Sequence, residues 1–422
     1  MPVNETTLSG IPRRRAQRAW ALTAWANHAF ATTVLVVFFP LFLGKYWGAD
    51  LPATRSTLYL GLANSSASLV VMLLAPWLGA YADRRGQKKL WLGIFTVIGV
   101  VATALLAAVG RGEWQWALAV FAVASVGYYA GSSFQDALIV QVASPAEAHR
   151  VSAYGFAAGY LGGGLLLLLN VLLALFPGWF GLSDWIAATR LAFLDVAIWW
   201  AFFTVPLFRR VPEAPPTVES PGWAELWGTI RKVLSDKTVR GFLFAYWLYI
   251  DGIGTLQQMA VDFGSKLGLP NSALIQAVLL VQFISLPSAL IFGRLGDRIG
   301  ARRAILIGLT VFVFVSVWAL FLRSAWQFYA MAVMVGTVQG GVQSLSRSLY
   351  SKLIPRERSG EYFGFYNMLG KFAAVLGPVL VGVMATLSGS SRVGVSSLML
   401  LFGAGGVLLW RVRLVEPAEM RG

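Results

Sequence analysis

Gly79-Ala80-Tyr81-Ala82-Asp83-Arg84-Arg85-Gly86-Gln87-Lys88-Lys89 and Gly293-Arg294-Leu295-Gly296-Asp297-Arg298-Ile299-Gly300-Ala301-Arg302-Arg303 are two copies of one pattern, set half a chain apart. Each follows a long apolar run and precedes another. Gly79 and Gly293 would let a neighbouring helix come close, and Gly86 and Gly300 suit a tight turn between two helices. Asp83 and Asp297 can meet the positive end of a helix or an arginine, while Arg84, Arg298 and the trailing cations hold the loop at a cytoplasmic membrane face. A second pair of similar stretches supports the duplication. Pro145 followed by Tyr154-Gly155-Phe156 recurs as Pro355 followed by Phe363-Gly364-Phe365. A unit of six helices therefore occurs twice in parallel orientation.

Outward from these motifs the chain is almost wholly apolar runs. Of 422 residues, 57% are hydrophobic and 13% charged, against about 25% charged in an ordinary soluble domain. The runs predict helices near 20–43, 58–79, 90–110, 114–141, 151–175, 186–208, 239–263, 271–295, 304–322, 326–349, 361–387 and 391–410. Most reach the roughly 20 residues that cross the hydrocarbon of a bilayer, and backbone buried in lipid must bond within its own segment. The fold class is an all-α polytopic membrane protein of twelve transmembrane helices in two six-helix bundles. The bundles span residues 1–208 and 239–422. The polar interval 209–238 links them along the cytoplasmic side and either carries an amphipathic helix or is a plain solvated linker.

The net charge of +15 raises nucleic acid as a partner, and its distribution answers the question. With the N-terminus inside, only Lys45, Arg55, Arg111, Arg190, Lys266, Arg323 and Arg392 fall outside, and Lys371 lies within a helix. The other 26 of the 34 Lys and Arg lie on the cytoplasmic side. This is the asymmetry that orients helices in a bacterial inner membrane, so no nucleic-acid partner is needed to explain it. Both termini are expected in the cytoplasm. Arg13, Arg14, Arg15 and Arg18 precede a run too long for a signal-peptide core, which reads as an uncleaved first helix. There is no cysteine, so thiol and disulfide chemistry are excluded.

With these residues in view, the chain resembles the major facilitator superfamily, whose signature lies between helices 2 and 3; Tyr81 stands where leucine is usual. The finer resemblance is to the vacuole-effluxer branch, the fungal autophagy-related amino-acid effluxers and their bacterial relatives. It rests on Trp25-Ala26-Asn27-His28-Ala29-Phe30, His149-Arg150-Val151-Ser152-Ala153-Tyr154-Gly155, Tyr249-Ile250-Asp251-Gly252, Ser346-Arg347-Ser348-Leu349-Tyr350 and Phe363-Gly364-Phe365-Tyr366-Asn367. It implies two bundles that open alternately to either side, and amino acids or similar solutes as substrates. The first helix departs from the branch. Thr23-Ala24 and His28 stand where an acidic residue and a serine are usual.

Ionisable groups at bilayer depth are costly and become functional candidates by default. Asp251 lies mid-helix, with Thr255, Gln258 and Asp262 following on one face. Lys371, one turn after Asn367, reaches a similar depth. Asp251 and Lys371 either form a static pair or one for which substrate or a proton competes. Asn27, Gln135, Gln339 and Gln343 either line a cavity or bond helix to helix. His28 either carries a proton or packs between helices. Asp136 and Arg347, near the cytoplasmic ends of helices 4 and 10, either pair across the halves as gating charges or each cap their own bundle or bind lipid headgroups. Asp195 has no evident role beyond a conceivable contact with Arg190.

No metal-ligand cluster, nucleophile elbow or phosphate loop accompanies these residues, so the chain does not read as an enzyme and no cofactor is expected. The expected function is secondary transport of a small polar solute by alternating access, with protons as a coupling partner. Export or flipping of an amphiphile is the alternative, and a membrane receptor or scaffold is the non-transport one. The expected partners are that solute, protons and membrane lipids, with the protein a monomer.

Overall fold

The computed structural model describes residues 12–216, 231 and 235–412, except the side chains of 53, 54, 57, 261, 262, 266, 271 and 371–375. The central part of the predicted linker, and with it the amphipathic segment, lies outside the described residues. Among the described residues twelve long helices follow one another: α1 (Arg13–Trp47), α2 (Ala53–Arg85), α3 (Lys88–Leu106), α4 (Trp114–Val142), α5 (Ala148–Leu175), α6 (Trp185–Arg210), α7 (Lys237–Lys266), α8 (Asn271–Ile299), α9 (Ala301–Phe321), α10 (Ala325–Leu353), α11 (Ser359–Ser388) and α12 (Ser391–Arg411). Among the described residues, nine are long and apolar enough to cross a membrane. The fully described α10 falls short because Gln339, Gln343, Ser344, Ser346 and Arg347 interrupt its apolar sequence.

Local chemistry sets several ends. Gly86 takes the left-handed conformation at φ 62° that stops α2. Asp184 and Asp236 accept backbone N–H groups at the starts of α6 and α7, and Ser324 with Gln327 forms a capping box on α10. α1 is wound more widely than an α-helix over Phe30–Phe38 and Leu43–Trp47. Pro40, which lacks an N–H and crowds the carbonyl four residues earlier, sits between the two wide stretches.

Two compact units emerge. The first comprises 1–142, 158–220 and 357–365; the second comprises 143–157, 221–356 and 366–422. In the first, α1 packs on α6, α2 on α4, α3 on α4 and α3 on α6. In the second, α7 packs on α12, α8 on α10, α9 on α10 and α9 on α12. Every main pairing thus recurs six helices later, which is the duplication seen in three dimensions. Close approach is built on small residues: a Cβ on Gly127 of α4 would strike the backbone of Gly99 on α3. Each unit also takes one short piece from the other sequence half. The first ten residues of α5 belong to the second unit, and the first seven of α11 belong to the first.

Candidate functional site

The motif residues sit on helix ends rather than in a loop. Asp83 and Arg84 lie in the last turn of α2, and Asp297 and Arg298 in the last turn of α8. A helix leaving the hydrocarbon no longer needs apolar residues to continue, so it runs past the boundary that hydropathy marks. In the first unit Asp83 is buried. Lys88 Nζ lies 2.6 Å away, and the N–H groups of Gly360 and Glu361, at the start of α11, donate to its two oxygens at 3.0 and 2.8 Å. Those first-turn N–H groups have no partner within their own helix, and the helix dipole favours an anion there. Gly79 has no room for a side chain, because a Cβ would overlap the carbonyl of Gly360. Gly86 abuts the Ala214 carbonyl. Beside it Glu213 accepts the Lys89 N–H at 2.8 Å while Lys89 Nζ donates to the Phe208 and Val211 carbonyls.

The second unit repeats the arrangement with different chemistry. Asp297 meets Arg150, at the start of α5, in a surface ion pair of 2.8 Å. Gly293 faces Ala153 of the same segment, Gly300 ends α8 at φ 87°, and Arg298 is exposed. Beside it the α5 segment is clasped to α10. Ser152 Oγ donates to the Ser344 carbonyl at 2.7 Å. Arg347, 5% exposed, donates to Ser152 Oγ and to its carbonyl at 3.0 and 2.9 Å and lies over the Phe156 ring. His149 is buried with Nδ1 2.8 Å from Ser348 Oγ and Nε2 2.7 Å from Lys352 Nζ. An ammonium can only donate, so Nε2 is the acceptor and the ring proton rests on Nδ1. Ser348 Oγ in turn donates to the Leu345 carbonyl, which completes the chain.

Deeper in the first unit, Asn27 Nδ2 donates to Gln135 Oε1 at 2.7 Å, and Trp20 Nε1 donates to the Gln135 carbonyl at the same distance. This buried clasp joins α1 to α4. His28 is half-buried, its ring edge-on to Tyr160 and packed over Gly159 and Gly163. Asp136 is half-buried on α4. Asp195 accepts from Asn170 Nδ2 at 3.2 Å, whereas Arg190 turns to the Tyr46 hydroxyl and the Val109 carbonyl. The contact between Asp195 and Arg190 therefore gives way to an α5–α6 link.

In the second unit, Asp251 is 1% exposed and lies midway along α7. Its carboxylate accepts the Gly377 N–H of α11 at 2.8 Å and the Thr255 hydroxyl at 3.3 Å. A side chain at Gly377 would overlap Thr255 Oγ1, so glycine is required for that amide to reach the carboxylate. Gln258 is exposed, Gln339 buried, and Gln343 and Asn367 half-buried. The side chains of Lys371 and Asp262 lie outside the described residues, and with the first of them the Asp251–Lys371 pairing. Sequence reasoning missed a tyrosine cluster on α7, α10 and α11. Tyr246 stacks on Tyr366 at 4.1 Å and Tyr350 on Tyr366 at 5.0 Å, and Tyr249 shares a hydrogen bond of 2.7 Å with Ser346. The positions of Tyr246, Tyr350 and Tyr366 were visible; that three helices bring them to one ring stack was not.

These arrangements have relatives. Residues 53–418 match the family model described as "Vacuole effluxer Atg22 like". The chain belongs to that family. An uncharacterized MFS-type transporter of Bacillus subtilis, YxiO, is 34% identical over 94% of both chains. Autophagy-related protein 22 of Yarrowia lipolytica is 28% identical over 61% of this chain and 49% of its own, so the likeness spans about half of the fungal protein. Among solved structures, the human organic anion transporter MFSD10 superposes with a TM-score of 0.78 at 18% identity, over 94% of this chain and 99% of that one. The proton:xylose symporter XylE does so at 0.70 and 14%, over 94% and 95%. The fold is that of the major facilitator superfamily, and this Atg22-like chain is a multi-pass membrane transporter, not an enzyme.

Proposed function

We propose that this Atg22-like protein is a secondary transporter of an amino acid or similar small zwitterion, working by alternating access with proton coupling. It lies in the bacterial cytoplasmic membrane with both termini inside. The observation that carries the reading is Asp251. A carboxylate at the midpoint of a membrane helix, satisfied among the described residues by a backbone amide and a hydroxyl, can exchange those neutral donors for the ammonium of a solute or for a proton. Asn27, His28, Gln135, Gln258, Gln339, Gln343, Asn367 and Lys371 are the accompanying candidates for solute and proton contacts, and Asp136 and Arg347 are the gating charges.

Proteoliposomes holding the full chain test the reading with a panel of labelled amino acids and a fluorescent phospholipid, with and without an imposed pH gradient. The expected result is amino-acid flux that rises with the gradient and is lost in Asp251→Asn. Movement of the phospholipid alone would make the protein an amphiphile exporter. Amino-acid flux unchanged in Asp251→Asn would remove that carboxylate from the mechanism.

A further inference from the structure

At the start of α7 and the end of α12 the second unit has a pocket of about 660 Å³. Lys237, Arg240 and Arg411 stand on its rim, and Phe244, Trp247 and Leu408 are among its walls. At its edge Gly241, without a side chain, lets Val412 lie close against α7; a Cβ there would meet the valine at 2.9 Å. All three rim cations are exposed. Asp236, the acid beside them in sequence, caps its own helix by accepting the N–H groups of Thr238 and Val239. Along α7 the seven residue-to-residue steps from Arg240 to Trp247 rise about 10 Å, the depth from phosphate level to the upper acyl chain. The walls therefore change from cationic to aromatic and aliphatic in the direction and over the distance that a phospholipid does. The indole N–H of Trp247 has no acceptor among the described residues.

We infer that this pocket binds one anionic phospholipid of the surrounding bilayer, its phosphate among Lys237, Arg240 and Arg411 and its acyl chains along Phe244, Trp247 and Leu408. Three cations facing an anionic surface supply the charge preference, and the apolar walls select a lipid over a free phosphate. The inference does not depend on what the protein transports.

The test uses the full chain, purified in detergent and titrated with phosphatidylglycerol, phosphatidylcholine and inorganic phosphate. Bound lipid is counted by native mass spectrometry, and hydrogen exchange is followed across residues 237–248. Expected are retention of phosphatidylglycerol over phosphatidylcholine, loss of roughly fivefold per cation replaced in Lys237→Gln, Arg240→Gln and Arg411→Gln, and no loss in the control Arg209→Gln/Arg210→Gln. Inorganic phosphate competing as well as the lipid, equal loss in the control, or unchanged retention in the triple variant would each overturn it. Should the triple variant not fold, the wild-type exchange data decide. Protection of 237–248 by phosphatidylglycerol alone upholds the site, and absence of protection there refutes it.

Discussion

Asp83 and Asp297 occupy equivalent positions in the two motif copies, yet their surroundings differ enough to give different stabilities. Asp83 is buried with Lys88 and two backbone donors, so replacing it leaves a buried cation uncompensated. Asp297 shares a surface ion pair with Arg150, whose side chain is 67% exposed. Asp83→Asn should cost about 3 kcal/mol, and Asp297→Asn less than about 1 kcal/mol. Thermal unfolding of the two purified variants in one detergent checks the contrast, and equal midpoints would contradict it. At Gly377 the constraint is steric. Gly377→Ala pushes a methyl group into Thr255 and Asp251, for an expected loss of about 1–3 kcal/mol. The same assay should place it well below an alanine substitution at Gly382, which has open space around it.

At the scale of helices, the clasp of α5 to α10 is where several weak bonds act together. Arg347 and Ser152 share two hydrogen bonds, and Ser152 also holds the Ser344 carbonyl. A double-mutant cycle on Ser152→Ala and Arg347→Ala should give a coupling of about 1–3 kcal/mol; strictly additive losses would mean that the contacts are independent. Helix existence was readable from apolar runs, because a bilayer demands about 20 such residues whatever their order. The predicted 361–387 corresponds to Ser359–Ser388, and 391–410 to Ser391–Arg411. Ends were less readable. The predicted 58–79 extends to Ala53–Arg85, since capping and the pull of Lys88 on Asp83 act beyond the reach of hydropathy. Partners were least readable. Asn27 and Gln135 stand far apart in sequence, and only the packing of α1 against α4 reveals that they bond to each other. The winding of α1 left no sign beyond Pro40.

For the molecule as a whole, the distribution of 34 Lys and Arg makes a prediction about sidedness. The chain has no cysteine, so a single introduced thiol is the only target for a membrane-impermeant maleimide. Arg111 and Arg298 are both exposed. Arg111→Cys should label in intact cells and Arg298→Cys only after the membrane is opened. The reverse pattern would invert the proposed topology.

The ten leading residues of α5 and the seven leading residues of α11 go with the unit opposite to the rest of their helices. Each of these two helices is one continuous run whose opening turns pack with different neighbours from the rest of its length. The change of neighbours falls at Ala157–Ala158 and Phe365–Tyr366, and both places have glycines close by: Gly155 and Gly159 on one helix, Gly364 on the other.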